Sequence, residues 1–385
     1  MNTKMFFVVF VSIIVTVSAQ TLEEGAEQAL EDNTVRTLDQ APVKTCTNVN
    51  GTGECVPYYL CNNGKFNTDG ENVIDIRFNE DKECIEYFEE CCGAEHLLTD
   101  ENKIVPVRNE TYITECGIRN SAGVGVRITG NSDGESEYGE FPWMVAVTRR
   151  EPSNDSFINV YMCGGSLIAE NVVMTAAHCV NGKDVDVMRI RVGEWDTQTT
   201  FELFQHSDHE VEKFVIHEKF NKGGLHNDIA LLFLKTKVEM SEVANTICLP
   251  SQDQPFDGKR CFATGWGKDQ FGKEGEYQVI LKKVELPTVP RDQCQANLRK
   301  TRLGRRFILH DSFMCAGGEE GKDTCKGDGG SPLVCPVEGF PDKYYQAGIV
   351  AWGVGCGQKD VPGVYANVAH FRNWIDTQIA SYSQP

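Results

Sequence analysis

Val172-Val173-Met174-Thr175-Ala176-Ala177-His178-Cys179 is an apolar, β-branched run that closes on a histidine beside a cysteine. Its length and its valines and threonine suit a buried strand better than a helix. Similar runs lie on either side, at Val160 to Ile168, Asp228 to Leu234, Tyr345 to Trp352 and Gly363 to Val368, separated by glycine-containing turns. Short strands at such spacing predict an all-β sandwich or barrel from about Arg127 onward. The C-terminal end reads differently. Phe371, Trp374, Ile375 and Ile379 recur at helical spacing, which predicts an amphipathic helix docked on the β core. No repeat at a solenoid period is present.

Toward the N-terminus the texture changes twice. Residues 94–127 are enriched in Glu, Asn and Gly around one isolated cysteine, Cys116, and read as a linker. Before them, residues 45–93 hold Cys46, Cys55, Cys61, Cys84, Cys91 and Cys92. A segment that short buries little apolar surface, so disulfides are expected to supply its cross-links. The neighbours Cys91 and Cys92 are poorly placed to bond to each other and should staple two different strands; the connectivity stays open at this point. A zinc site fits less well, because no Cys-x-x-Cys pair is present. Residues 20–44 are acidic and poor in aromatics, a solvated leader. Residues 1–19 carry Lys4, an apolar run from Met5 to Val17 and the small-residue ending Val17-Ser18-Ala19, the pattern of a signal peptide. That run is too short to span a bilayer comfortably, and no second apolar span follows.

Export agrees with the sixteen cysteines, which should be oxidised, and with Asn-x-Ser/Thr sequons at Asn50, Asn109 and Asn154, candidate glycosylation sites. The chain of 385 residues has a formal net charge of −19, which argues against nucleic acid as a partner and for a soluble protein.

Three segments of the β region belong together. His178 ends the opening run. Asn227-Asp228-Ile229-Ala230-Leu231-Leu232 sets an acid at the head of a strongly apolar strand. Lys326-Gly327-Asp328-Gly329-Gly330-Ser331-Pro332-Leu333-Val334-Cys335 brings glycines, an acid and a serine together. Alone, His178 reads as a packed histidine and Asp228 as a strand cap; as an ordered set, coincidence is remote.

With Phe141-Pro142-Trp143, Cys163-Gly164-Gly165-Ser166-Leu167-Ile168, Gly265-Trp266-Gly267 and Gly363-Val364-Tyr365, the region from Arg127 to the C-terminus resembles the trypsin/chymotrypsin-like serine proteases. The six-cysteine segment resembles a clip domain, so the whole is similar to arthropod clip-domain serine protease homologues. The resemblance implies a double six-stranded antiparallel β-barrel spanning residues 128–385, with a C-terminal helix and the active site between the barrels. It implies His178 as general base and Asp228 as its orienting acid. It also implies the pairs Cys163–Cys179, Cys261–Cys335, Cys294–Cys315, Cys325–Cys356 and Cys116–Cys248, and in the clip segment Cys46–Cys91, Cys55–Cys84 and Cys61–Cys92.

The nucleophile is where the sequence departs. In active relatives a serine follows the loop aspartate directly; here that place is Gly329, with Cys325 and Asp328 fixing the register on one side and Pro332 and Cys335 on the other. Ser331 stands two residues further on. Two extended residues span roughly 6–7 Å, whereas a nucleophile and its base meet at about 2.6–3.2 Å. Losing the serine hydroxyl costs on the order of a millionfold in rate, because triad members act as a unit. Ala351 stands where the family has a serine that supports the buried aspartate. Asp323, Gly353 and Gly363 match the floor and walls of a pocket for Arg or Lys, and the Gly327 and Gly329 N–H groups match an oxyanion hole.

Arg127-Ile128 resembles the family's activation junction, and Arg108-Asn109 is a second trypsin-type cleavage point on the clip side, the one favoured here. Glu194 and Asp196 lie where some relatives hold calcium, although the spacing beyond them departs from the trypsin pattern; no cofactor is otherwise called for. Arg299, Lys300, Arg302, Arg305 and Arg306 form a basic cluster, read as a solvated loop or a docking site for an acidic partner or polyanion. The resemblance implies a pseudoenzyme of the haemolymph: a secreted regulatory cofactor for prophenoloxidase activation and melanization in innate immunity. Its expected partners are prophenoloxidase and an upstream clip-domain protease, with self-oligomerisation after cleavage. Microbial-surface recognition or cell adhesion is the alternative, and a residual protease using Ser331 the enzymatic one.

Overall fold

The computed structural model describes residues 45–48, 51–57, 84, 89–93, 115–124, 134–153, 156–198, 204–268, 278–324, 327–355 and 357–382. They fall into two units, divided between Ile104 and Val105. In the first, β1 (Thr45–Asn48), β2 (Gly51–Pro57) and β3 (Glu89–Gly93) form an antiparallel sheet in the order β1-β2-β3. Disulfides join Cys46 to Cys91, from β1 to β3 across the middle strand, and Cys55 of β2 to Cys84. A strand trio this small has little core of its own, so the cross-links supply its cohesion. Gly53 is required by packing: a Cβ there would lie 2.4 Å from the Cys92 carbonyl oxygen. Cys61, assigned to Cys92 above, lies outside the described residues.

The second unit holds two closed antiparallel barrels. The first takes the order β4-β5-β6-β9-β8-β7, from β4 (Met144–Ser153), β5 (Ser156–Ala169), β6 (Val172–Thr175), β7 (Met188–Val192), β8 (Ser207–Ile216) and β9 (Ala230–Leu234). The second takes the order β10-β11-β12-β15-β14-β13, from β10 (Arg260–Gly265), β11 (Lys282–Val289), β12 (Phe313–Gly317), β13 (Pro332–Pro336), β14 (Tyr344–Trp352) and β15 (Pro362–Asn367). Closure leaves no bare strand edge. Alternation sets which face is inside: in β7, Met188, Ile190 and Val192 are buried while Arg189 and Arg191 face outward. The trypsin-like double barrel expected from the sequence is the fold.

Three helices occur among the described residues: α1 (Ala177–Val180), α2 (Arg291–Leu298) and α3 (Val368–Tyr382). Helix α3 buries Phe371 and Ile375 against the first-barrel core, with Trp374 and Ile379 partly buried beside them, the face its sequence periodicity marked. Each buried large side chain contributes about 1.5–3 kcal/mol of apolar burial.

The segment read as linker is only in part a linker. Residues 115–124 are pinned to the barrels by Cys116–Cys248, by the Gly117 N–H on the Thr246 carbonyl at 2.7 Å, and by the Tyr344 N–H on the Gly117 carbonyl at 2.8 Å. Arg119 donates to the fully buried Glu140 carboxylate (Nε, 2.9 Å) and lies 4.3 Å over the Phe262 ring. Glu140 also accepts from Lys283 at 2.7 Å and from the Glu137 N–H at 2.7 Å. A buried carboxylate is tolerated when it is paired and hydrogen-bonded in this way. The segment's polar composition suggested solvent; its arginine is instead a partner for a buried acid.

Candidate functional site

A cleft of about 590 Å³ runs between the barrels and is lined by His178, Gly327, Gly329, Trp352, Gly353 and Gly363, among others. The two walls meet through specific bonds. The Gly164 N–H on β5 donates to the Gly329 carbonyl at 3.0 Å, and the Ser166 hydroxyl donates to the Gln346 amide oxygen on β14 at 2.6 Å.

His178 sits on α1, one turn beyond the end of β6, so the opening run of the sequence delivers it to the cleft. Its Nδ1 lies 2.6 Å from Asp228 Oδ2, and its backbone N–H donates to Oδ1 at 2.8 Å. Asp228 is fully buried, so its carboxylate fixes the imidazole with Nδ1–H as the donor and Nε2 turned away from it. Asn227, just before, takes a left-handed φ of 55°, which asparagine tolerates better than most residues. Its N–H donates to Ser312 Oγ at 3.1 Å, and its side-chain amide donates to the Lys219 carbonyl at 2.9 Å. Asp228 is thereby placed ahead of the wholly buried β9. Cys163–Cys179 bridges β5 to α1 directly beside the histidine.

Opposite His178 stands Gly329. A Cβ built on it would lie 2.7 Å from His178 Nε2, so the imidazole already occupies room that a side chain here would need. Ser331 lies elsewhere. It is completely buried, does not line the cleft, and packs its hydroxyl toward Gly164 and Gly265, where added Cβ atoms would fall 2.0 Å and 3.2 Å from its Oγ. That Oγ has no hydrogen-bond partner among the described residues. The main chain holds the loop in this setting, with the Ser331 N–H on the Asp328 carbonyl at 3.0 Å and the Val350 N–H on the Ser331 carbonyl at 2.9 Å. Gly330, at φ 83°, needs its glycine, since a Cβ would meet Thr175 Oγ1 at 2.2 Å.

Asp328 turns toward the Gly265-Trp266-Gly267 stretch and accepts the Gly267 N–H at 2.8 Å. Gly327 and Gly329 both border the cleft, and among the described residues no backbone carbonyl accepts from either N–H. Tyr161 donates its hydroxyl to the Gly327 carbonyl at 3.1 Å, a restraint the sequence reading missed. Its only signal was a tyrosine two residues before Cys163.

Asp323 accepts the Thr324 N–H at 2.9 Å and the Gly357 N–H at 3.1 Å. Burial, with the nearby Asp328 charge adding to it, lifts its carboxyl to about 6. Gly363 is tightly placed, since a Cβ would stand 3.1 Å from Asp323 Oδ1, whereas at Gly353 a Cβ would make only ordinary contact with the Gly355 carbonyl oxygen at 3.4 Å. Ala351 lines the same cleft and carries no hydroxyl to offer Asp228. The arrangement can polarise and orient an imidazole. It places no hydroxyl within reach of Nε2 from position 329.

Glu194 and Asp196, the residues expected to hold calcium, are engaged by neighbouring groups. Arg191 donates to Glu194 Oε2 at 3.1 Å, with His206 Nδ1 3.3 Å from the same oxygen, and the Trp195 N–H donates to Oε1 at 3.1 Å. Asp196 accepts the Gln198 N–H at 3.0 Å, and burial raises its carboxyl. Among the described residues the two acids join no cluster of three metal-binding side chains.

Of the other sequence-derived residues, Cys261–Cys335 and Cys294–Cys315 are bonded. Cys325, Cys356, Arg108, Arg127, Ile128 and the sequons Asn50, Asn109 and Asn154 lie outside the described residues.

Comparison with known proteins places this geometry in context. A family profile described as Trypsin matches residues 131–375, and one described as Serine protease Clip domain PPAF-2 matches residues 42–93. Over 281 residues the chain is 56% identical to the phenoloxidase-activating factor 2 of Galleria mellonella, covering 71% of this chain and 92% of that protein. It is 39% identical over 331 residues to the inactive CLIP domain-containing serine protease A8 of Anopheles gambiae, covering 85% of this chain and 88% of that protein. To the phenoloxidase-activating factor 1 of Holotrichia diomphalia it is 31% identical over 359 residues, 87% of this chain and 93% of that protein.

Proposed function

The chain belongs to the trypsin family, in its clip-domain branch, and on that premise we propose that it is a catalytically inactive, secreted cofactor of prophenoloxidase activation. The observation that carries the reading is Gly329 against His178. Gly329, aligned here with the family's nucleophile position, offers no hydroxyl, and a Cβ there would stand only 2.7 Å from His178 Nε2. Without a nucleophile no acyl-enzyme forms, and the His178–Asp228 pair remains an orienting unit with nothing to deprotonate. The names of the relatives support both halves of the proposal: some are called inactive, others phenoloxidase-activating factors.

A scaffold needs shaped surfaces and a trigger rather than a cofactor. The trigger we assign is cleavage by an upstream clip-domain protease at Arg108-Asn109, which severs the clip segment. A cut at Arg127-Ile128 would leave it tethered through Cys116–Cys248. The signal peptide and cysteine content support release into haemolymph.

Two measurements test this. A fluorophosphonate probe on the cleaved protein should label nothing; stoichiometric labelling at Ser331 would overturn the inactive assignment. Prophenoloxidase mixed with its activating protease should yield more phenoloxidase activity when the cleaved protein is added. No gain would favour microbial-surface recognition or adhesion instead.

A further inference from the structure

The loop from α2 to β12 is closed by the Cys294–Cys315 disulfide and rigidified from within. Arg299 turns inward, donating from Nε to the Phe307 carbonyl at 2.7 Å, and the Leu309 N–H donates to Gln295 Oε1 at 2.9 Å. Leu298 and Leu309 are fully buried, and Phe307 meets Trp352 edge-on at 6.0 Å. On this fixed base Lys300, Arg302, Arg305 and Arg306 are all exposed. No carboxylate among the described residues pairs with any of the four; Lys300 reaches only the Asn297 amide oxygen, at 3.1 Å. The nearby Asp311 is already engaged by Arg291 at 2.8 Å.

Ile308 lies two residues after Arg306 on the same loop and is 73% exposed, the most exposed of the large hydrophobic residues described. Its neighbours Phe307 and Leu309 point inward, so the chain's alternation turns Ile308 out, where a polar residue would serve the fold equally well. Phe157 and Phe340, also exposed, have Arg150 and Lys343 over their rings, at 4.1 and 5.7 Å.

In a chain of net charge −19, four uncompensated cations on a pre-ordered loop form a local inversion of sign. At physiological ionic strength screening acts over about 8 Å, so a ligand touching the loop feels these cations more than the distant acids. Three are arginines, whose fork geometry suits carboxylates. An exposed apolar side chain on the same loop as exposed arginines is a composition found in protein–protein contacts. We propose that this loop is a docking surface for an acidic segment of a partner protein, with one apolar side chain of that segment seated on Ile308. Rigidity of the base lowers the ordering cost of such a contact.

Binding of two fluorescein-labelled peptides to the full-length protein tests it: a glutamate-rich peptide with a central leucine, and the same peptide with serine there. A heparin hexasaccharide is the polysaccharide probe. The expected result is measurable, salt-sensitive binding of the leucine peptide, weakened at least about tenfold when Lys300, Arg302, Arg305 and Arg306 are changed together to Glu. Ile308→Ser should weaken the leucine peptide several-fold and leave the serine peptide unchanged. All these side chains are exposed, and an unchanged thermal midpoint confirms that the variants fold. Equal binding to wild type and the charge-reversed variant overturns the proposal. So does indifference to Ile308 combined with tighter, loop-dependent binding of heparin, which would mark a polysaccharide site. Both readouts are independent of fluorophosphonate labelling and of phenoloxidase activity, so failure here is distinct from failure of the cofactor role.

Discussion

Ser331 and Gly164 interlock across the junction of the two barrels: a Cβ on Gly164 would stand 2.0 Å from the Ser331 hydroxyl oxygen. Each residue therefore sets a limit on the other. The serine fits only because position 164 is bare, and its oxygen is buried there without a hydrogen-bond partner among the described residues. Gly164→Ala should destabilise the fold by about 1–3 kcal/mol, the range for overpacking. Ser331→Ala should be neutral or stabilising by up to about 1 kcal/mol, because it removes an unpartnered buried hydroxyl. Urea denaturation of both variants reads this directly. A clear loss of stability in Ser331→Ala would mean that the hydroxyl has a partner, and the interlock would need another explanation.

The same loop predicts what a serine at position 329 would do. In Gly329→Ser the new Cβ meets His178 Nε2 at 2.7 Å, so the imidazole must retreat by a few tenths of an ångström. The far end of a side chain can do that while Asp228 still holds Nδ1. Fluorophosphonate labelling should then appear at residue 329, roughly a hundredfold or more faster than any labelling of the parent protein. Intact-mass and peptide mapping would locate the adduct. A variant as inert as the parent would show that the histidine cannot withdraw.

Much of this was legible in the sequence because the signals were local. The run ending in His178 and the acid heading β9 are chain-neighbour patterns, and the fold brings them to a 2.6 Å contact. Loop register was equally readable, since anchors on both sides counted off Gly329. The contacts that escaped are long-range. Arg119 lies 21 residues from Glu140, and Tyr161 lies 166 from Gly327. Nothing in the composition of either neighbourhood distinguishes a solvated arginine from one that neutralises a buried acid.

Asp323 gives the protein a pH dependence of definite sign. Its carboxyl is raised from 3.8 to about 6 in the fold, chiefly by burial. The folded state therefore binds the proton more tightly than the unfolded chain. Its contribution to stability is greatest at low pH and is lost as pH rises from the unfolded value through about 6. Asp323→Asn should remove that slope. The charged form is also the one that would hold a cation, so affinity for benzamidine should rise as pH climbs through about 6 and vanish in Asp323→Asn. Calorimetric titrations across that range would show it; a pH-independent affinity would mean that benzamidine does not reach Asp323.

Glu140 is the buried acid of a charge cluster outside the cleft. Its side chain is fully buried, and it holds Arg119, Lys283 and the Glu137 N–H together. Removing one member of such a cluster strands the others in a poorly solvated place, a loss of about 3–5 kcal/mol. Glu140→Ala should approach that figure, because two cations lose their common partner. Arg119→Ala should cost less, since Lys283 still neutralises the carboxylate at 2.7 Å. Cys116–Cys248 keeps the segment attached in both variants, so a difference between them reports the charge cluster and not detachment. Chemical denaturation with the disulfides intact would rank the two. If Arg119→Ala proved the more damaging, the stacking of its guanidinium over Phe262 would be the larger contribution, because that contact is absent only in that variant.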